Sequence, residues 1–197
     1  MIINELSLTN KYACILADPP WTFVTRSNKG KARSAEQHYS CMSLQEIYDL
    51  PVQQVASDNC ILFMWVTFPL LREGINTIEA WGFEYKTCGF TWAKLNKRFE
   101  GDTYTDKDFF TGMGYHTRQN PELCLIGVKG KVPRKSKAVR NLIVSPRREH
   151  SRKPDQTYDR IEALVDGPYL ELFSRTERQG WDCWGNQTSK WKIDEQQ

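Results

Sequence analysis

Five short apolar runs alternate with polar stretches along the chain, and each run has the length of a single strand. The runs are continuously apolar, which is typical of strands that are covered on both faces of a sheet. The predicted strands lie at 12–17, 60–66, 123–128, 142–144 and 169–173.

Two helical patterns lie between these runs. In the first, apolar residues recur at i, i+4 and i+7 from Leu71 and Gly82 follows them, so a helix is predicted over 69–81. The second pattern begins near Pro154, which suits a first helical turn, and ends before Gly167. Strands that alternate with helices predict an α/β fold with a mainly parallel sheet.

Two of the predicted strands end in polar residues. Asp18 directly follows the first strand, and a polar stretch begins at Glu171 in the last one. Because ligands of parallel sheets bind at the carboxyl ends of the strands, we expect one shared cleft there. Segments 25–34 and 96–115 are polar and lack periodicity, and loops of this length in a compact domain are usually functional or disordered.

Length and charge narrow the picture further. The 197 residues suit a single domain, 1–197, with a substantial core. The net charge of +3 is only mildly basic, but between Lys129 and Lys153 ten Lys or Arg stand against one acid, Glu149. This segment is a candidate phosphate-contact strip, and the alternative is a solvated surface stretch.

The six cysteines contain no C-x-x-C pair, and the three histidines lack the spacing of metal ligands. We therefore expect no metal site and no disulfide framework, as is typical of a reduced protein. No secretory leader and no apolar run long enough for a membrane span occur in the sequence, which predicts a soluble cytoplasmic protein.

The most specific motif is Asp18, Pro19, Pro20 and Trp21. A carboxylate and a carbonyl fixed by prolines offer two hydrogen-bond acceptors, which suit the amino group of a flat base. Trp21 is costly to expose unless a planar partner stacks on it, and a stacked base contributes about 1 to 3 kcal/mol. The motif is typical of an amino-group methyltransferase loop, and a structural Asp-Pro turn is the alternative.

Further motifs follow in order: the run from Gly114 to Gly130, Ser151 to Pro154, Glu171 to Arg175, and Gly180 to Gln187. Together with the tetrapeptide, this series resembles the MT-A family of S-adenosylmethionine-dependent N6-adenine methyltransferases. The resemblance implies a Rossmann-like methyltransferase fold with helices on both faces of the sheet. It also implies a permuted order, with the catalytic loop first and the cofactor strand last, which fits the absence of a G-x-G-x-x-G loop.

The resemblance also implies a role for each matching residue. Asp18 and the Pro19 carbonyl would hold the adenine amino group, with Pro20 and Trp21 in the same catalytic loop. S-adenosylmethionine would contact Asp18, Lys153, Glu171, Leu172, Phe173, Arg175, Asn186 and Gln187. Substrate contacts would come from Trp21, Tyr39, Arg118, Glu122 and Lys153.

Simpler interpretations stay open at some of these positions. Lys153 is alternatively a solvated lysine at a helix start, Glu122 a partner of a nearby base such as Arg118, and the pair 186–187 an ordinary turn. Glu177 and Arg178 stand where some eukaryotic members of the family have a His-Asn pair, so no ribose contact is predicted there. The cofactor contacts before the first strand are not predicted either.

The leading prediction is a DNA adenine-N6 methyltransferase that flips its target base out of the duplex. Segments 25–34 and 96–115 would flank the cleft as substrate-recognition loops. The alternatives are the same methylation on RNA and a catalytically silent nucleic-acid-binding or partner subunit. A homodimer or a complex with a partner subunit is compatible with each of these functions.

Overall fold

The computed structural model describes residues 9–21, 42–149, 151–188 and 190, and a seven-stranded sheet forms its centre. The order of strands across the sheet is β5-β3-β4-β2-β1-β6-β7. All strands except β4 run in one direction, because β4 alone pairs in antiparallel fashion with its two neighbours. We call the edge where these strands end the carboxyl edge, and the other the amino edge. The strands are β1 (Tyr12–Ala17), β2 (Ala56–Val66), β3 (Glu84–Leu95), β4 (Glu122–Lys129), β5 (Leu142–Pro146), β6 (Tyr169–Leu172) and β7 (Trp181–Trp184).

Helices cover both faces of this sheet. The helices α1 (Leu44–Tyr48) and α2 (Leu71–Ala80) pack on one face, where the indole N–H of Trp81 donates to the Ile47 carbonyl at 2.8 Å. Helix α3 (Gln156–Leu164) packs on the other face through Tyr158 and Ile161. The predicted fold class, a Rossmann-like methyltransferase fold with a mainly parallel sheet, is therefore confirmed.

The predicted elements agree with the structure where apolar runs are continuous. β1 has the predicted bounds, whereas β2 begins four residues before the predicted 60–66. The sequence does not predict β3, because two register shifts interrupt its alternation of buried and exposed residues. It also misses β7, a four-residue edge strand that contains a charged residue.

The two predicted helices are present with shifted starts. A 3₁₀ turn (Phe68–Leu70) precedes α2, and Gly82 follows it with a φ of +80°, which glycine adopts without strain. Helix α3 begins at Gln156, just after Pro154. The predicted loop 96–115 contains one short 3₁₀ turn (Asp106–Asp108), while 25–34 lies outside the described residues. Among the described residues, no helix is long and apolar enough to cross a bilayer.

Candidate active site

A cleft opens at the carboxyl edge where β1 and β6 lie side by side. Ala17 pairs with Leu172 in the sheet, so Asp18 after β1 and Glu171 within β6 come close together. Both side chains line the cleft, which encloses about 440 Å³ including its open mouth. The structure thus brings the two predicted strand ends into one site. Further lining residues come from the segment before α3, from the first turn of α3 and from the residues after β6, including Ser151, Arg152, Lys153, Thr157, Phe173 and Arg175.

Four charged side chains form a continuous chain along this edge. The Lys153 ammonium lies 2.7 Å from Asp18 Oδ2 and 3.3 Å from Glu122 Oε2. The other oxygen of Glu122, Oε1, accepts from the Lys94 ammonium at 2.5 Å. Glu122 begins β4, the antiparallel strand, which is why its side chain reaches the edge where the parallel strands end. We call Asp18, Lys153, Glu122 and Lys94 the charged chain.

The charged chain shifts the pKa of its two central members, Glu122 and Lys153. Burial alone would raise the pKa of Glu122, but the ammonium groups of Lys153 and Lys94 outweigh it and lower the pKa to about 2. Burial likewise disfavours the charged form of Lys153, yet the carboxylates of Asp18 and Glu122 raise its pKa above the ordinary value. The interpretation of Lys153 as a solvated lysine is wrong, because only 15% of its side chain is exposed.

Glu171 is in a different electrostatic state. Its carboxylate accepts hydrogen bonds from the Tyr158 hydroxyl at 2.9 Å and from Ser174 Oγ at 2.8 Å. Burial raises its pKa to about 7, and the neighbouring charge of Asp18 adds to the rise, against the two hydrogen bonds. Glu171 is therefore close to half protonated at neutral pH, while Glu122 is fully ionised.

The catalytic loop of the prediction is tightly held. The Pro19 carbonyl accepts from the Trp21 amide at 2.8 Å, and the Pro20 carbonyl accepts from the Met42 amide at 3.1 Å. Trp21 is only 7% exposed, and its indole N–H donates to the Trp65 carbonyl at 3.2 Å. The ring therefore packs into the core beneath the loop, and its stacking against a base stays a prediction.

The predicted cofactor residues divide into two groups. Phe173 and Arg175 line the cleft, as does Glu171. Leu172 does not, because successive residues of a strand point to opposite faces and its side chain is buried in the core on the α1 and α2 side. Asn186 and Gln187 follow β7, the next strand in the sheet, and do not line the cleft.

The predicted substrate residues divide in the same way. Glu122 and Lys153 belong to the charged chain. Glu122 does pair with nearby bases, as the simpler interpretation has it, but its partners are Lys94 and Lys153 and not Arg118. Arg118 is exposed in the long loop between β3 and β4. Tyr39 lies outside the described residues.

Two site residues are not predicted from the sequence. Lys94 is the next-to-last residue of β3, the strand that the hydropathy pattern misses. Asn120 fixes that strand end, since its amide donates to the carbonyls of Lys94 and Phe110 at 2.8 and 2.6 Å and accepts from the Lys94 amide at 2.8 Å. Asn120 thereby ties the loop between β3 and β4 to the charged chain. Its place two residues before Glu122, next to a proline, is the only sequence signal for it.

The described residues contain no cluster of three or more side chains able to hold a metal ion. All five cysteines in this part of the chain are free thiols, and Cys14, Cys60 and Cys124 are buried. Burial raises the pKa of the Cys60 thiol to about 12, so this thiol is protonated at neutral pH.

Comparison with known proteins identifies the family of the chain. The MT-A70 family model matches residues 12–187, which include the whole sheet and the complete charged chain. The chain belongs to the MT-A70 family. The predicted family and the predicted enzyme class, a methyltransferase, are thus confirmed.

Curated relatives fall into a bacterial and a eukaryotic group. The type II methyltransferase M.MunI from a Mycoplasma species is 34% identical, with 93% of this chain and 81% of M.MunI covered. The human N(6)-adenosine-methyltransferase catalytic subunit METTL3 is 30% identical, with 93% of this chain but 29% of METTL3 covered. A putative MT-A70-like N(6)-adenosine-methyltransferase of Medicago truncatula is also 30% identical, and 28% of it is covered. This MT-A70 family member thus spans most of M.MunI and less than a third of either eukaryotic relative.

Proposed function

We propose that this protein transfers the methyl group of S-adenosylmethionine to the N6 amino group of adenine in DNA. The observation that carries the proposal is the state of Asp18. Asp18 lines the cleft, and one of its oxygens binds Lys153, while no described residue donates to the other, Oδ1. A carboxylate with one open acceptor is what an exocyclic amino group requires. The similarity to M.MunI, a type II methyltransferase, favours DNA as the substrate.

The cleft residues fit S-adenosylmethionine. The cofactor would supply a methyl group made electrophilic by a sulfonium. Asp18 and the ionised fraction of Glu171 complement that positive charge, whereas Arg175 and Lys153 complement a carboxylate. Thr157 Oγ1 is buried in the cleft wall and has no hydrogen-bond partner among the described residues, which supports a polar ligand there. Asn186 and Gln187 would contact the adenosine part from the neighbouring strand end.

The residues of the loop prepare the amino group for attack. The N6 lone pair is delocalised into the ring, so acceptors on both N–H groups favour a pyramidal nitrogen with its lone pair turned towards the methyl carbon. Asp18 Oδ1 and the second lone pair of the Pro19 carbonyl are the two acceptors. Holding the reacting atoms in line is the largest contribution, since alignment alone is worth roughly 7 to 11 kcal/mol. Asp18 also stabilises the positive charge that develops on N6.

The substrate base must leave its stack to reach this site. Flipping costs a few kcal/mol in a duplex. We infer that Glu122 and Lys153 contact the flipped base, since Lys153 lines the cleft and pairs with both Asp18 and Glu122. The loop 96–115, tied down by Asn120, and the segment 25–34 would flank the base and read its neighbours.

The test is a product analysis. Purified protein is incubated with labelled S-adenosylmethionine and with double-stranded DNA, single-stranded DNA or RNA, and the nucleosides are identified by mass spectrometry after digestion. N6-methyldeoxyadenosine in the DNA samples is expected. Its absence there, with a methylated base in RNA, overturns the choice of DNA. No methylated base in any sample, together with no cofactor binding, favours a silent partner subunit.

RNA is the second candidate substrate. The eukaryotic relatives are named adenosine methyltransferases, and METTL3 is named as the catalytic subunit of one. The acceptor geometry at Asp18 serves adenine in either polymer. Three further statements are also proposals. They are the organisation as one methyltransferase domain over 1–197, the cytoplasmic location, and the assembly with a second copy or a partner subunit.

A further inference from the structure

The segment 130–141 carries a row of cations along the side of the sheet. β4 ends at the amino edge with Lys129, whereas β5 begins at Leu142. Leu142 pairs with Thr91 of β3, and Thr91 pairs on its other side with Leu123 of β4, so β5 begins at the level of Leu123. Between Lys129 and Leu123 lie six steps along β4, about 20 Å at the rise of a strand. The segment therefore runs about 20 Å from the amino edge towards the edge that holds the active site.

Its backbone is fixed at several points. The Lys131 amide donates to Asn59 Oδ1 at 2.7 Å, and the Lys135 amide donates to the Leu164 carbonyl at 2.8 Å. Near the other end, the Arg160 guanidinium donates to the carbonyls of Arg140 and Leu142 at 2.7 and 2.8 Å. Val132 and Val139 pack against the core beside α3. The apolar side chains thus point inwards on an ordered backbone.

The charged side chains point outwards. Lys131, Arg134, Lys137 and Arg140 are all exposed and follow one another at intervals of three residues. None of the four forms an ion pair with a described residue, whereas Lys135 pairs with Asp166 at 2.9 Å. No acidic residue occurs in 130–141. We call these four side chains the basic track.

The basic track continues towards the active site. β5 leads from Leu142 to Arg147, whose exposed guanidinium lies 3.9 Å from the centre of the Phe110 ring. Phe110 in turn belongs to the loop that Asn120 ties to Lys94. Positive charge therefore recurs from the amino edge, across the uncharged strand β5, to Arg147 beside the loop that Asn120 ties to Lys94.

We propose that the basic track binds the phosphate backbone of the nucleic acid whose adenine enters the cleft. Over about 20 Å it would follow roughly six base pairs beyond the target, since the rise is 3.4 Å per base pair. The segment contains no aromatic residue, and its exposed side chains are largely lysine and arginine. Protein interfaces are instead enriched in aromatic residues and depleted in lysine. The identity of the polyanion as DNA rests on the proposed function.

The test compares two variants with the same change of charge. The track variant combines Arg134→Gln with Lys137→Gln, and the control combines Arg72→Gln with Lys11→Gln. Arg72 lies on α2 of the opposite face, and Lys11 donates to the Gln54 carbonyl beside that face. Binding of a fluorescent 30-base-pair duplex is measured by anisotropy at several salt concentrations. Melting curves show whether each variant is folded, and methylation is measured at saturating DNA.

We expect the track variant to reduce the salt dependence of binding. The slope of log Kd against log salt should fall by about 2, and affinity near physiological salt should fall roughly tenfold. The control should match the wild-type protein in both respects. Methylation at saturating DNA should be unchanged in both variants, because neither pair lies in the cleft.

The outcomes separate this proposal from the proposed function. A track variant with the wild-type slope overturns the basic track as a phosphate contact. If that variant still methylates DNA, the basic track is instead a surface for an acidic protein. Lack of duplex binding by the wild-type protein at low salt also overturns it. The wild-type protein can also bind DNA with a salt dependence that falls in the track variant and yet methylate no substrate. That result supports the basic track as a phosphate contact and overturns the proposed function.

Discussion

The charged chain at the cleft and the ion pairs around Arg178 both join an Asp and a Glu to cationic side chains, but in different surroundings. The Arg178 guanidinium donates to both oxygens of Glu162 at 2.8 Å and to Asp159 at 2.8 Å. The Trp181 indole N–H adds a further hydrogen bond to Glu162 at 2.7 Å. This cluster joins α3 to the connection between β6 and β7, so that it stabilises the packing of α3.

The difference lies in the acceptors that are left over. Burial alone would raise the pKa of Glu162, but hydrogen bonds from Arg178 and Trp181 lower it, and both oxygens are occupied. In the charged chain the last carboxylate, Asp18, lines the cleft and has one oxygen to which no described residue donates. A charge network that ends at an open acceptor beside a buried, partly protonated Glu171 is suited to binding. A closed network serves the fold.

Removal of the open acceptor should have the largest effect. We expect Asp18→Ala to lower the rate of methyl transfer by ~10³-fold or more, because alignment and charge stabilisation at N6 are lost together. Cofactor binding, measured by calorimetry, should remain detectable. Asp159→Ala, which removes a carboxylate from the closed network, is the control and should retain the wild-type rate. A near-normal rate in Asp18→Ala would remove this residue from the mechanism.

The pH dependence of stability should expose Glu171. Its pKa is about 7 in the folded protein against an ordinary value of 4.5, so its favourable contribution is complete below pH 4.5 and is lost as the pH rises through 7. Glu171→Gln does not titrate. Its free energy of unfolding should therefore rise relative to the wild-type protein between pH 5 and 8, by up to about 3 kcal/mol. A difference that stays constant with pH, measured by urea unfolding, contradicts this assignment.

Matched substitutions in the two networks should have opposite readouts. Glu122→Gln weakens the hold of the charged chain on Lys153, and we expect kcat to fall roughly 10- to 100-fold. Glu162→Gln should leave kcat unchanged and lower the free energy of unfolding by roughly 1 to 3 kcal/mol, because charged hydrogen bonds on α3 are lost. Steady-state kinetics and urea unfolding of both variants test the comparison. Loss of turnover in Glu162→Gln alone would reverse it.

The smallest effect is expected at the far end of the charged chain. Lys94→Met keeps the length of the side chain and removes the ammonium that holds Glu122. Lys153 remains as a partner, so a reduction of roughly tenfold in kcat is expected. As Lys94 is a positioning residue, the pH profile should also change, because the pKa of Glu122 rises when one of its two cationic partners is lost. An unchanged kcat and pH profile would exclude this role.

Much of the fold follows from local sequence. The continuous apolar runs identify β1, β4 and β6, and the spacing of apolar residues identifies α2 and α3. β3 escapes this pattern because its register shifts break the alternation, and with it Lys94 is missed. The order of strands across the sheet has no local signal, since it depends on which strands pair.

The sequence by itself determined the family, the α/β class, the Asp-Pro-Pro-Trp tetrapeptide and the polar strand ends, because these depend on residue types in chain order. Only the tertiary structure decided how the charges combine. Glu122 reaches the candidate active site because β4 runs antiparallel to its neighbours. Trp21 is buried, although it follows an Asp-Pro-Pro sequence that is typical of an exposed turn. The opposite pKa changes of Glu122 and Glu171 likewise arise from burial and from partners distant in the chain. The spacing of residues in the sequence contains no information about burial or about partners that are distant in the chain.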